Sequence, residues 1–224
     1  MISEESININ TVKSGGLFMH TKLIKLNLQK FYNHEASLRN ANSKEDWKKN
    51  QRDYFYNNYI KAENKRSLLE IGAGTGEDSQ FFMKCGLRVT AVDLSSEMVN
   101  ICRKKSVEAY EWDFYDIAAL NRKFDCIWSM NSLLHVPKPD LSHVLNEIDS
   151  VLNENGLFYM GVYGGIDTES NYINEVSDVP RYFSYYSEYK LKEILGGIFE
   201  IIEFKQMDVG RNTDFQAAIM RTKK

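Results

Sequence analysis

The chain reads as an open, mostly parallel α/β sheet. Three observations predict it. From residue 67 onward, short apolar runs alternate with amphipathic stretches of helical length. The first run leads into a glycine loop, Gly72-Ala73-Gly74-Thr75-Gly76, and the last two runs are separated only by a loop. Strands alternating with helices make βαβ units and a parallel sheet. Two strands joined without a helix pair antiparallel.

The elements follow in order. Residues 1–22 are polar and weakly patterned, and a loose tail is expected there. Residues 23–60 carry two helical stretches, the second opening on Ser43-Lys44-Glu45-Asp46, a capping-box type of start. After a charged connection at 61–66, residues 68–71 form the first strand. Residues 77–85 are helical and stop at Gly86, a left-handed C-cap. Residues 87–93 form the second strand, and Ser95 caps a helix carrying Met98, Val99, Ile101 and Cys102. Strands at 107–111 and 124–130 come next. Asp140 then caps a helix with Leu141, Val144, Leu145, Ile148, Val151 and Leu152 on one face. A fifth strand at 157–163, a helix at 187–195 and strands at 199–204 and 215–220 complete the chain. It divides into a helical extension, 1–66, and a sheet domain, 67–224.

Composition narrows the partners. The 224 residues are 43% apolar and 26% charged with only three prolines, enough for one core plus an extension. The net charge of −3 disfavours nucleic acid, whose phosphates need clustered cations. The N-terminus lacks the basic and apolar regions of a signal peptide. The longest uncharged apolar stretch, 157–166, is half of the ~20 residues a membrane span needs. Cys85, Cys102 and Cys126 are far apart in apolar settings, as buried reduced thiols would be. No acids or histidines stand at metal-ligand spacing. A cytoplasmic protein without a bound metal, off the membrane and free of nucleic acid, is expected.

The glycine loop follows a strand and opens a helix, so its backbone N–H groups approach a ligand closely. Position 77, where the dinucleotide fingerprint has its last glycine, is Glu. With Glu70 and Asp78 it would place three carboxylates against a pyrophosphate, each costing on the order of 1 kcal/mol. A ligand carrying an ammonium or a sulfonium suits that setting better. Glu77 and Asp78 also complement the helix dipole, which leaves Glu70 without a reason. Asp93 ends the second strand 21 residues after Gly72, the place of a ribose-binding acid or of a cap on the next helix. Asp113 follows the third strand, placed either for an adenine amino group or as an ordinary loop acid.

From Ser67 to Lys224 the chain resembles the class I S-adenosylmethionine-dependent methyltransferases. The likeness rests on residues 68–76 (LLEIGAGTG), Val92-Asp93-Leu94-Ser95, Asp113-Phe114 and residues 124–130 (FDCIWSM), in this order. It implies a Rossmann-like doubly wound sheet of seven strands, mostly parallel, whose last strand runs antiparallel. It also implies S-adenosylmethionine as cofactor, with S-adenosylhomocysteine as product. Glu70, Gly72, Ala73, Gly74 and Gly76 would hold the methionine part, Asp93 the ribose and Asp113 the adenine. Leu94, Met98, Phe114 and Met130 would complete the cofactor site. Segments such as Ser132-Leu133-Leu134-His135-Val136-Pro137, residues 181–186 (RYFSYY) and Phe31-Tyr32-Asn33 resemble those of bacterial small-molecule methyltransferases. Glu77 stands where many relatives have Arg, and Asp214-Phe215 where a Trp is frequent.

Methyl transfer to an oxygen or a weakly acidic nitrogen also needs a proton removed. His135, five residues past the fourth strand, is the candidate general base, or else a residue that fixes a loop. Tyr32, Asn131, Tyr163 and Arg181 are candidate acceptor residues. Asn131-Ser132-Leu133-Leu134 is not the [DN]PP[FY] signature of nucleobase amine methylation. The aromatic stretch from Trp47 through Tyr54, Phe55, Tyr56 and Tyr59 either covers the site or packs on the sheet edge. The expected function is methyl transfer to O or N of a small-molecule acceptor. The alternatives are a peptide or protein acceptor, or cofactor binding without catalysis. A nicotinamide oxidoreductase is argued against by the missing glycine and the acid cluster. The oligomeric state is left open.

Overall fold

The protein is represented by a computed structural model that describes residues 9–174 and 177–224. Helix α1 spans Ile9–Ala41, so the expected loose tail is helical from residue 9. Helix α2 spans Asp46–Phe55 and runs on through a π-turn, Tyr56–Ile60. The Ser43 capping box is not formed. Glu45 is the N-cap, without a side-chain cap bond, and its carbonyl accepts from the N–H groups of Lys48 and Lys49 at 3.0 and 3.3 Å.

After these helices come β1 (Ser67–Ile71), α3 (Glu77–Lys84), β2 (Arg88–Asp93), α4 (Ser96–Lys104), β3 (Glu108–Glu111) and β4 (Phe124–Met130). Then come α5 (Leu141–Ser150), β5 (Leu152–Gly164), β6 (Thr168–Asn174), β7 (Ser177–Tyr185), α6 (Glu188–Ile198), β8 (Phe199–Met207) and β9 (Asp214–Thr222). Seven strands form one sheet in the order β3-β2-β1-β4-β5-β9-β8. β9 lies antiparallel to both β5 and β8, and the other pairs are parallel. β6 and β7 form a separate antiparallel pair that the sequence reading did not anticipate. Leu152 begins β5 rather than ending the preceding helix.

Local chemistry accounts for the helix starts. Ser95 Oγ accepts from the Met98 N–H at 3.1 Å, the expected cap of α4. Asp140 makes no side-chain cap bond to α5; its Oδ2 instead accepts from Thr21 Oγ1 (3.0 Å) and Tyr115 Oη (2.9 Å). Leu141, Val144, Leu145 and Ile148 on α5 are all fully buried.

Successive strand residues bury into opposite cores, as the pleat requires. Leu69, Ile127 and Phe158 join the core beneath α5 and α6. Leu68, Cys126 and Leu157 join the other core, with Phe55 and Phe82. There Trp128 stacks on Tyr159 at 4.0 Å and on Phe55 at 5.8 Å. Trp47 meets Phe215 edge-on at 4.7 Å. The aromatic stretch of α2 thus packs against a sheet face.

Candidate active site

The strand order reverses between β1 and β4, and ligands of open α/β sheets bind at the carboxyl edge of such a switch. The glycine loop leaves β1 at that edge. Gly72 and Ala73 N–H groups both donate to the Val92 carbonyl, at 2.9 and 3.1 Å, which ties the loop to β2. Gly72 (φ +71°) lies so close to Ser132 that a Cβ would fall 2.3 Å from Ser132 Oγ. Gly76 lies against Cys102, its Cβ position 2.8 Å from Sγ. Gly74 has nothing within 4 Å of its Cβ position and borders the cavity.

The cavity above this loop measures about 460 Å³, within the range of small-ligand sites. Of the residues expected at the cofactor, Glu70, Gly72, Ala73, Gly74, Asp93, Leu94, Met98, Asp113, Phe114 and Met130 line it, and Gly76 does not. Tyr32, Asn131 and His135 also line it. Tyr163 and Arg181, expected near the acceptor, do not. Tyr163 packs between Trp47 and Phe215, and the Arg181 guanidinium lies 4.3 Å over the Phe31 ring.

Each acid has a defined role. Asp93 Oδ2 accepts from the Gly74 N–H at 2.8 Å and Oδ1 from the Ser95 N–H at 2.9 Å. The carboxylate is therefore aimed by the loop on one side and the start of α4 on the other. Asp113 Oδ1 accepts from the Tyr115 N–H at 3.0 Å, while Oδ2 pairs with Lys25 Nζ at 2.6 Å. The expected field of three carboxylates is weaker than the sequence suggests. Asp78 is buried and held by Lys44, by Arg52 at 3.3 Å and by the Trp128 indole N–H at 3.0 Å. Glu70, 3% exposed, accepts from Ser79 Oγ, and burial beside Asp78 pushes its carboxyl up to about 8. Glu77 is half-buried in the cavity wall.

Residues 68–156 match the profile of a family described as a methyltransferase domain. The match runs from β1 into β5. Similar proteins include a ubiquinone biosynthesis O-methyltransferase of Xanthomonas axonopodis pv. citri, 31% identical over 100 residues. That match covers 42% of this chain and 41% of the relative, so the chain spans about two fifths of that protein. Among solved structures, the DhpI complex with SAH superposes with a TM-score of 0.70 at 19% identity, over 89% of this chain and 97% of that one. A Burkholderia thailandensis 1,6-didemethyltoxoflavin-N1-methyltransferase, solved with bound 1,6-didemethyltoxoflavin and S-adenosylhomocysteine, gives 0.67 at 16% identity, over 100% and 94%.

The roof over the cavity is α1. Gln29 Nε2 donates to the Leu94 carbonyl (3.2 Å) and to Glu111 Oε1 (2.9 Å), and Asn33 Oδ1 accepts from Ser95 Oγ (2.6 Å). Lys25, Leu28, Glu35 and Arg39 line the cavity beside Tyr32, and the sequence reading missed all four. Their spacing, 25, 28, 32, 35, 39, is one helix face. That face mixes charge with apolar residues, so it does not register as an amphipathic stripe. His135 is buried below Tyr32, whose hydroxyl lies 2.8 Å from its Nε2. His135 Nδ1 is 2.6 Å from the Tyr182 carbonyl of β7, and burial lowers the imidazole to about 4. Asn131, in left-handed backbone (φ +57°), has a buried Oδ1 without a hydrogen-bond partner among the described residues.

Proposed function

We propose that the protein is an S-adenosylmethionine-dependent methyltransferase that carries a methyl group to oxygen or nitrogen of a small-molecule acceptor. The observation that carries this reading is the convergence of Gly74, Asp93, Asp113 and Asn131 on one cavity. Among the groups offered there are acceptors: two carboxylates, and an amide oxygen with no partner among the described residues. A nucleoside ligand with ribose hydroxyls, an adenine amino group and an ammonium supplies the matching donors. Gly74 leaves the close approach that such a ligand needs.

Asp93 would take the ribose hydroxyls and Asp113 the adenine, with Glu70 and the glycine loop beside the methionine part. Bound there, the cofactor supplies a methyl group already activated on a sulfonium. The chain's own task is then to orient the acceptor, exclude water and take up a proton. The α1 roof does the excluding. Tyr32, Asn131 and His135 stand at the acceptor side. The relatives act through different atoms, one named for O- and another for N1-methylation, so fold likeness leaves the acceptor atom open.

Calorimetric titration with S-adenosylmethionine, S-adenosylhomocysteine and NADH tests this reading. Binding of both sulfur ligands, with no heat from NADH, is expected. NADH binding alone would overturn it. An S-adenosylhomocysteine-release assay over phenols, amines, organic acids and peptides then identifies the acceptor.

A further inference from the structure

His135 is fixed in one tautomer by its neighbours. The Tyr182 carbonyl accepts and cannot donate, so the nitrogen 2.6 Å from it, Nδ1, carries the hydrogen. A neutral imidazole then has its lone pair on Nε2. The Tyr32 hydroxyl, 2.8 Å from Nε2, must point its hydrogen there. What Tyr32 has left to offer is oxygen lone pairs. A tyrosine hydroxyl in water donates or accepts as the partner demands; here the choice has been removed by a backbone carbonyl two bonds of the network away.

The charges around this hydroxyl narrow its partner further. The Arg39 guanidinium lies 4.9 Å over the Tyr32 ring, with no carboxylate partner among the described residues. Arg181 acts on Tyr32 from β7, by charge and by a side-chain hydrogen bond that takes one lone pair of the hydroxyl and leaves the other for the cavity. Asp93 acts on it in the opposite sense, and Glu35 lines the same cavity. Burial chiefly opposes a positive charge on His135, and Arg181 and Arg39 add to it. A protonated amine, the form most aliphatic amines take near neutral pH, would enter against two guanidinium groups. A neutral hydroxyl meets no such penalty.

We propose that Tyr32 anchors the methyl acceptor by accepting a hydrogen bond from the acceptor's own O–H, and that His135 is the positioning residue that sets this polarity. The acceptor class is therefore a neutral hydroxyl compound. This rests on the methyltransferase reading above and deepens it. One consequence concerns selectivity: an O-methylated compound has no hydroxyl hydrogen and so lacks the contact by which Tyr32 would hold the substrate.

The test has two arms, each run with and without S-adenosylhomocysteine. Nitrogen-15 NMR of the histidine-labelled protein is expected to show His135 protonated on Nδ1 only, unchanged from about pH 8 to about pH 5. Tyr32→Phe should move the Nε2 signal toward that of an unbonded nitrogen and leave Nδ1 in place. In the second arm, phenol and anisole serve as probes, alike except for the hydroxyl hydrogen. Phenol should bind the wild-type protein about five-fold more tightly, and Tyr32→Phe should bind both equally. A hydrogen on Nε2, titration of His135 near its ordinary value, equal binding of the probes, binding of neither, or discrimination that survives Tyr32→Phe would each overturn the proposal. The first arm needs no variant. If S-adenosylhomocysteine itself does not bind, the cofactor reading fails while both arms still read the polarity of Tyr32.

Discussion

At the scale of single residues, the acids behave according to what neighbours them. Asp93 is aligned by two backbone N–H groups and still lines the cavity. On the proposed reading, Asp93→Ala removes the ribose contact and also unties the loop from α4. S-adenosylhomocysteine affinity by calorimetry should fall about 10- to 100-fold, the scale of a lost charged hydrogen bond. Glu70 carries a different prediction. Its folded carboxyl is raised to about 8, above the usual carboxylate range, chiefly by burial and then by Asp78. The folded state thus keeps a proton that the unfolded chain gives up. The stabilisation is complete in acid and is lost as pH rises through about 8. His135, lowered to about 4, works in the opposite sense and costs stability only as pH falls below the ordinary histidine range. Above about pH 7 the Glu70 slope stands without that opposition. The urea midpoint should drop between about pH 7 and about pH 9, and Glu70→Gln should flatten the drop. Asp93 and Asp113 were legible as candidates because Asp93 ends the second strand 21 residues past Gly72 and Asp113 follows the third, and both line the cavity. The neutral state of Glu70 was not legible, since it depends on burial and on Ser79 and Asp78, which only the fold brings together.

At the scale of elements, the glycine loop separates close packing from backbone strain. Gly72 and Gly74 both have positive φ, +71° and +54°, but only Gly72 is crowded, by Ser132. Gly74→Ala should cost about 1–2 kcal/mol from left-handed backbone alone. Gly72→Ala should cost distinctly more and also weaken S-adenosylhomocysteine binding, because Ser132 and the β4 end must shift. Urea unfolding and calorimetry on the two variants check this contrast. Phe55, fully buried against Trp128 and Tyr159, gives a second test: Phe55→Ala should lose about 3–5 kcal/mol in urea unfolding. The strands flanking the loop were readable from apolar runs, and the antiparallel end from the missing helix. The β6–β7 pair was not. Tyr182, Ser184 and Tyr186 are buried while Phe183 and Tyr185 stack on the other side at 5.9 Å, so both faces carry aromatics and no polar alternation marks a strand. Pro180 further hides it.

At the scale of the whole molecule, α1 bridges distant parts of the fold. It reaches the β2 end through Gln29, α4 through Asn33, the start of α5 through Thr21 and the β3 loop through Lys25. Ile24 and Leu28 bury against Tyr182 of β7. Ligand exchange therefore requires these contacts to open together. Hydrogen exchange of the backbone at residues 24–39 should slow when S-adenosylhomocysteine binds, by up to about 100-fold at a hundredfold excess over the dissociation constant. Unchanged exchange there would place the ligand path elsewhere. This roof was illegible in the sequence because its outward face also carries apolar residues. Leu23 and Leu26 are 57% and 44% exposed, which blurs the periodicity of a one-sided helix.

The three tryptophans lie in settings so different that light can tell them apart. Trp128 is sealed between Tyr159 and Phe55, its indole N–H bonded to Asp78, and Trp47 rests on Phe215. Trp112 alone borders the cavity, half-buried, with its N–H on the Asp116 carbonyl. Blue-shifted emission from Trp128 reports the intact core and reddens on unfolding. Emission from Trp112 reports what occupies the cavity, because a purine ring beside it quenches without unfolding anything. With Trp112→Phe as the blank, one fluorescence spectrum therefore separates occupancy of the site from integrity of the fold.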